Sequence, residues 1–114
     1  MTTNVTPAVL CPSTQITAGP VAYIIGAALS QTIIKRVVYT NVTSSTVAIT
    51  AYRVASGDTA NVTNAVFFQR SLAAYATDLA PELSNMVLNG GDSIVALCNT
   101  TLSVNFTASG FVTS

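Results

Sequence analysis

The sequence predicts an all-β protein: a single antiparallel β-sandwich, jelly-roll-like, with an extended N-terminal arm. β-Branched residues are abundant, and short apolar runs are separated by Gly, Asn, Ser and Asp clusters, which is typical of strands joined by turns. No segment keeps a convincing helical period. The chain has 114 residues, of which 50% are apolar, so it can form one domain with its own core and is not intrinsically disordered.

Residues 1–20 are predicted to be the arm, and residues 21–114 the sandwich domain. Pro7, Pro12 and Pro20 lie in the first segment, and the residue before a proline favours extended backbone. Such an arm can dock on a neighbouring subunit. The remaining sequence has no linker, low-complexity tract or internal repeat that would divide it.

Two strands are predicted on either side of a short polar turn at residues 41–45. Residues 32–40 and 46–55 are rich in β-branched and aromatic side chains, and the turn between them favours an antiparallel pair. Lys35 and Arg36 are neighbours in the first of these strands. Because adjacent strand residues point to opposite faces, these two cations are not expected to form one basic patch.

The middle of the chain is less regular. The Ser-Gly-Asp sequence at residues 56–58 predicts a turn, followed by a polar loop and a strand at residues 65–70. Residues 72–88 predict a strand with an irregular connection, with a short helical turn near residues 81–85 as the alternative. The Asn-Gly-Gly-Asp sequence at residues 89–92 predicts a tight turn, because glycine accepts positive φ angles.

The last two predicted strands have different patterns. Residues 93–98 form a run that is apolar on both faces, which predicts a strand covered on both sides, by a second sheet or by another subunit. Residues 101–108 alternate between polar and apolar, which predicts one buried and one exposed face. Gly110 is expected to kink the chain before residues 111–113.

Charge is unusually scarce. Only 7% of the residues are charged, against about 25% in a typical soluble protein, and four basic residues balance four acidic ones with no histidine. This composition argues against nucleic acid or a membrane surface as a partner. A lone soluble domain normally has a surface about 25–35% charged, so the deficit predicts a subunit that neighbours cover, as in a homo-oligomer.

Signals for secretion, membrane insertion and disulfide bonding are weak. The N-terminus has no basic residue or continuous apolar core, so it does not predict a secretory signal. The most apolar stretch, residues 21–34, is shorter than the roughly 20 residues of a membrane helix. Cys11 and Cys98 are expected to be free, partly buried thiols. Five Asn-x-Ser/Thr triplets are attributed to a chain rich in Asn and Thr rather than to glycans; they begin at Asn4, Asn41, Asn61, Asn99 and Asn105.

Candidate catalytic groups are few. Without histidine, neither a Ser-His-Asp nor a Cys-His arrangement can form, and no phosphate-binding loop or metal-ligand spacing occurs. Asp78 and Glu82 are a conceivable glycosidase pair, but solvated carboxylates on a loop are the preferred interpretation. Asp58 and Asp92 lie beside glycines in turns, where aspartate bonds its own backbone. We therefore expect no enzyme activity, no cofactor and no metal.

The order of several short motifs resembles a family of small bacteriophage virion proteins with a β-sandwich fold. The match covers about the last 80 residues and includes TNVTSS at residues 40–45, VASG at 54–57, LNGGDSI at 88–94 and SGF at 109–111. None of these motifs is catalytic, and nothing in residues 1–32 contributes. The resemblance implies a structural component of a phage particle.

The sequence thus predicts a phage virion protein, made in the host cytoplasm, that acts as a capsid decoration or cement subunit with the major capsid protein as its main partner. A neck, tail or fibre-base subunit is the first alternative, and a receptor- or carbohydrate-binding module the second. With few charges, binding to the capsid is expected to depend little on salt. The predicted interface residues are Pro7, Val9, Pro12 and Ile16 in the arm and Ile94, Val95 and Leu97 in the doubly apolar strand.

Overall fold

Two antiparallel sheets enclose one apolar core in the computed structural model, which describes residues 5–100 and 103–113. The predicted all-β sandwich is confirmed. Two short 3-10 turns, Val62–Asn64 and Pro81–Leu83, interrupt the strands. The strands in chain order are β1 (Val5–Gln15), β2 (Val21–Ile25), β3 (Gln31–Asn41), β4 (Val47–Val54), β5 (Ala65–Leu72), β6 (Thr77–Asp78), β7 (Val87–Asn89), β8 (Ser93–Cys98) and β9 (Val104–Thr113).

The strand order is that of a jelly roll. The larger sheet runs β1-β9-β3-β6, with β7 also paired with β3, and the smaller sheet runs β2-β8-β4-β5. Pairing is nested: β1 with β9, β2 with β8, β3 with β6 and β7, and β4 with β5. A long hairpin rolled up on itself gives this pattern, in which the two sheets cover each other's apolar faces.

The predicted hairpin between residues 32–40 and 46–55 is wrong. Both strands exist, as β3 and β4, but β3 pairs with β9, β6 and β7 while β4 pairs with β5 and β8. The turn between them carries the chain from one sheet to the other. A turn signal marks where the backbone reverses, and it does not distinguish a hairpin from a crossing between packed sheets.

The buried side chain of Asn41 fixes this crossing. Its Nδ2 donates to the backbone oxygens of Ser45 at 2.8 Å and of Leu72 and Ala73 at 3.1 Å. Its Oδ1 accepts from the backbone N–H of Thr43 at 2.9 Å and from the Thr43 hydroxyl at 2.7 Å. One amide therefore ties the turn at the end of β3 to the end of β5 in the other sheet.

The segment predicted to be an arm contains an edge strand of the larger sheet. Within residues 1–20, Val5–Gln15 is extended as predicted, and it pairs with β9 from Val5 opposite Thr113 to Gln15 opposite Asn105. Of this strand, Cys11 alone is buried. The segment is thus part of the sandwich, and docking on a neighbouring subunit stays a prediction.

Strands β8 and β9 both alternate. Ile94, Ala96 and Cys98 face the core, while the side chains between them lie half-exposed on the outer face of the smaller sheet. The second sheet thus covers one face of β8, and no part of the described chain fully covers the other. Alternation in β9 is confirmed from Val104 onward, and the predicted positions 101 and 102 lie outside the described residues. Gly110 does not kink the chain, because β9 continues to Thr113.

The irregular stretch at residues 72–88 contains both predicted features. The short strands β6 and β7 pair with β3, and the 3-10 turn Pro81–Leu83 lies between them, which confirms a helical turn in this region. The turn at residues 89–92 is confirmed by the Asp92 N–H to Asn89 oxygen bond at 3.0 Å and by a φ of 88° at Gly91. It too crosses between the sheets, from β7 to β8.

Aromatic rings fill the centre of the core. Tyr39 of β3 meets Phe67 and Phe106 edge-on, with ring centroids 5.8 and 5.0 Å apart. The phenol of Tyr39 is fully buried, and its hydroxyl has no hydrogen-bond partner among the described residues. Burial, followed by the charge of Asp78, raises the pKa of Tyr39.

Replacing Tyr39 by phenylalanine is expected to leave stability unchanged or to raise it by up to about 1 kcal/mol, because the change removes a buried hydroxyl that forms no bond. Chemical denaturation of both proteins measures this. Tyr23→Phe is the matched control, because the Tyr23 hydroxyl accepts a hydrogen bond from the Thr17 N–H at 3.1 Å, and its removal should cost about 1 kcal/mol. A loss of more than about 1 kcal/mol for Tyr39→Phe would show that the hydroxyl has a partner.

Candidate interaction surfaces

The predicted carboxylate pair is held by one arginine. Nε and Nη2 of Arg70 lie 2.9 and 3.0 Å from the two oxygens of Asp78, and Nη1 lies 2.5 Å from Glu82. The guanidinium also covers the ring of Phe67, 4.0 Å from its centroid. The hydrogen bond from Arg70 lowers the pKa of Glu82. This cluster joins the outer strand of the smaller sheet, β5, to β6 and the adjoining 3-10 turn. The two carboxylates are therefore held in ion pairs rather than solvated on a loop.

Asp92 organises the loops at one end of the sandwich. Its carboxylate accepts from the backbone N–H groups of Ser56 at 3.0 Å and Asn89 at 3.1 Å, and it pairs with Arg53 at 3.2 Å. Its carbonyl oxygen accepts from the Gly26 N–H at 2.8 Å. The backbone bonds lower the pKa of Asp92. The prediction that Asp92 has a structural role in a turn is confirmed by these bonds.

Acid is expected to destabilise the protein partly through Asp92. A carboxyl group with a lowered pKa in the folded state stabilises that state above the unfolded pKa of about 3.9, and this contribution disappears as the pH falls through the folded pKa. Asp92→Asn should therefore lower Tm at neutral pH, and the difference from wild type should shrink towards pH ~2.5. Thermal unfolding across this range measures it, with Asp58→Asn, a change at an exposed turn, as control. A constant difference at all pH values would contradict the expectation.

Other candidate sites give simpler results. Among residues 5–100 and 103–113, no group of three or more His, Cys, Asp or Glu side chains could hold a metal ion. Cys11 and Cys98 are free and buried, as predicted, and burial raises the pKa of both thiols. No helix in this part of the chain is long and apolar enough to cross a membrane. Of the four tyrosines, Tyr75 is mostly exposed, at 69%, and is not a core residue.

Three of the four interface residues predicted in the arm are on the surface. Pro7, Val9 and Pro12 are exposed on β1, and Val9 is exposed to 70%. The prediction for Ile16 is wrong, because its side chain is fully buried. The Ile16 N–H bonds to the Val104 oxygen at 3.0 Å, which turns the end of β1 into the core.

The interface residues predicted in β8 fall on both of its faces. Ile94 is fully buried in the core, so it is not part of any surface of this chain. Val95 and Leu97 are half-exposed on the outer face of the smaller sheet. Two open hollows of about 310 and 410 Å³ lie on that face, the first beside Leu97 and the second beside Val95. Ile94, Val95 and Leu97 are all apolar, so composition alone did not separate the core residue from the two surface residues.

The outer face of the larger sheet has a hollow of about 380 Å³ that we call the β1–β9 groove. It lies over β1, the edge strand of the sheet, and its neighbour β9. Most of its wall is apolar. Its lining residues are Pro7, Ala8, Val9, Lys35, Ser109, Gly110 and Phe111. Pro7 and Val9 therefore belong to one continuous feature, to which β9 and β3 also contribute.

Lys35 and Arg36 are both exposed, although adjacent strand residues were expected to point to opposite faces. The pairing of β3 with β9 shifts between Ile34 and Arg36, which leaves Lys35 as an extra residue. Ile34 and Val37, on either side, are both buried. A β-bulge resets the alternation in this way and places two successive side chains on one side. The two buried residues are therefore three positions apart instead of two.

No protein-family model matches the sequence, and no curated protein sequence matches it. Solved structures of infectious bursal disease virus match it in fold. A chain of the Gx strain structure gives a TM-score of 0.51 at 17% identity, covering 99% of this chain and 33% of that chain. A chain of the Gt strain structure gives a TM-score of 0.43 at 13% identity, covering 97% and 31%. The first likeness shows the fold, and this protein spans about a third of the viral chains' length.

Proposed function

We propose that this protein is a structural subunit of a virus particle, acting through protein–protein contacts. The observation that carries this is the likeness in fold, over 99% of this sequence, to a chain in a structure of infectious bursal disease virus, together with the nested jelly-roll order of this chain's own strands. Jelly rolls are a common building unit of viral capsids. The two sheets need no further domain to cover their inner faces, so the unit can serve as a complete module in a shell.

The composition of the surface supports an assembled state. Of the four basic residues, Arg53 and Arg70 are paired with carboxylates of the same chain, so they add little net charge to the surface. Large apolar side chains are exposed instead, with Leu29 and Val9 exposed to 103% and 70%. A surface of this kind favours association.

In finer terms, we propose a bacteriophage capsid decoration or cement protein that binds the major capsid protein and forms a homo-oligomer. The sequence resemblance supports the phage assignment. The docking surface would be formed by the β1–β9 groove and by the two hollows on the outer face of the smaller sheet. Neither nucleic acid nor a membrane is needed as a partner. The protein would be made in the host cytoplasm and incorporated into the virion.

Counting copies of the chain in purified particles of the virus that encodes it tests this proposal. Quantitative mass spectrometry with an isotope-labelled peptide of this chain, scaled to the major capsid protein, gives the number. On the order of hundreds of copies supports a shell subunit, because closed shells repeat each subunit by symmetry. A dozen or fewer supports a neck, tail or fibre-base subunit and overturns the decoration role. Absence from the particle overturns the virion role altogether.

A further inference from the structure

Two β-bulges flank the same point of β9. On one side, the pairing of β1 shifts between Val9, opposite Ser109, and Cys11, opposite Ala108. On the other side, β3 shifts between Ile34, opposite Gly110, and Arg36, opposite Ser109. Bulges re-aim side chains and occur preferentially beside functional sites. Here Val9 and Arg36 lie on opposite sides of Ser109, which lines the β1–β9 groove.

The rim of the groove carries the protein's unpaired positive charge. Lys35, the only lysine in the sequence, lines the groove, and Arg36 follows it on the same exposed bulge. Lys35 Nζ donates to the neutral amide oxygen of Asn85 at 2.7 Å. Among the described residues, neither cation forms an ion pair, whereas Arg53 and Arg70 both do. Two cations with no counter-charge stand beside an apolar hollow.

The hollow itself suits an apolar side chain. Pro7, Val9 and Phe111 form its walls, and Gly110 leaves the floor without a side chain. Val9 keeps 70% of its surface exposed, so a contact there would bury apolar area that the chain does not cover itself. The surface therefore combines an apolar recess with a positive rim.

We propose that the β1–β9 groove binds a segment of another polypeptide that carries a carboxylate beside an apolar side chain. Lys35 and Arg36 would pair with the carboxylate, and the apolar side chain would enter the hollow between Val9 and Phe111. Charge complementarity selects this occupant, because a neutral segment would leave both cations without a counter-charge. The inference rests on the proposed function, since the segment would belong to another virion protein.

The other occupants fit less well. A second copy of this chain has four acidic side chains, of which Asp78, Glu82 and Asp92 are already bound by arginines. The remaining one, Asp58, lies between Gly57 and Thr59, so it has no large apolar side chain beside it to enter the hollow. Nucleic acid and anionic membranes are bound by larger basic surfaces than two residues provide. A protein segment with a carboxylate suits a rim that has only two cations.

Zero-length cross-linking with a water-soluble carbodiimide tests the contact in purified particles. The reagent joins an amine to a carboxylate in direct contact, and Lys35 is the only side-chain amine in this protein. We expect a cross-link from Lys35 to an Asp, Glu or C-terminal carboxylate of another virion protein. Lys35→Arg, which keeps the charge but has no primary amine, should lose that cross-link. A link to Asp58 of another copy, or none from Lys35, would overturn the proposal.

Occupancy on particles tests the two halves of the groove. Lys35→Glu/Arg36→Glu should reduce the copy number at least about tenfold, and Lys35→Arg/Arg36→Lys should change it less than about twofold. Val9→Ser should reduce the copy number several-fold. Val62→Ser, at a valine that is exposed to 71% in the 3-10 turn Val62–Asn64, should not reduce it. If the wild type is incorporated and every groove variant has an unchanged copy number, the proposal that the groove binds another protein is overturned, and the virion role is not affected. Absence of the wild type from the particle instead overturns the virion role.

Discussion

Gly110→Ala is expected to lower the free energy of unfolding by about 3 kcal/mol or more, a large part of the total stability of a small domain. A Cβ built on Gly110 would lie 2.0 Å from the Ile33 carbonyl oxygen and 3.1 Å from Leu10 Cδ1. The contact with Ile33 is with backbone, which cannot rotate away as a side chain can. Strand β9 lies between β1 and β3, so it cannot move from one without disturbing its pairing with the other.

Urea denaturation of the purified variants measures this effect. Gly19→Ala is the matched control, because a Cβ at Gly19 would have no atom within 4 Å, and its stability should stay within about 1 kcal/mol of wild type. Should Gly110→Ala give an insoluble protein, its soluble yield against that of Gly19→Ala supplies the comparison. Equal stability of the two variants would contradict the close approach of β3 and β9.

Asn41→Ala is expected to cost about 3 kcal/mol, because it removes a buried amide and leaves several backbone groups without partners. The side chain is 1% exposed and bonds to the turn that carries the chain between the sheets and to the end of β5. Asn41→Asp, nearly the same in shape, should be no less harmful, since it directs a carboxylate at carbonyl oxygens.

Thermal and chemical unfolding of Asn41→Ala and Asn41→Asp measure this loss, with Asn61→Ala as the control. Asn61 begins the same Asn-Val-Thr triplet but is exposed and caps a 3-10 turn, so its replacement should cost about 1 kcal/mol or less. A cost for Asn41→Ala no larger than for Asn61→Ala would show that the buried bonds do not hold the crossing. The bonded amide of Asn41 is also inaccessible to glycosylation in the folded protein.

The strands could be predicted from local pattern, but their partners could not. Alternation located β9, and turn signals located the ends of β3, β4 and β8. Asn41 shows why the pairing was missed: its role depends on Leu72 and Ala73, more than 30 residues away, and no local spacing records that contact. The same reason applies to β1, whose prolines predicted extended backbone without indicating that β9 lies beside it.

The proposed docking surface was predicted in part. Pro7 and Val9 were named because prolines indicate an extended segment that can dock on a neighbour, whereas Ile94 and Val95 could not be separated without knowing which face of β8 meets the second sheet. The basic rim was missed because strict alternation was assumed through Lys35 and Arg36. A bulge arises from how β3 matches the length of β9, which is a property of two strands rather than of one sequence segment.

The nested strand order also governs how this chain can fold during synthesis. Among the described strands, β4 and β5 are the only consecutive pair that bond to each other. Every other pair joins strands that are not consecutive in the chain, so its second strand is made only after at least one further strand. In the larger sheet, β9, the last of the described strands, lies between β1 and β3. Folding should therefore be slow for a domain of this size, since large loops must close before most contacts form. Until β9 has left the ribosome, β1 has no strand to pair with and remains available to other chains.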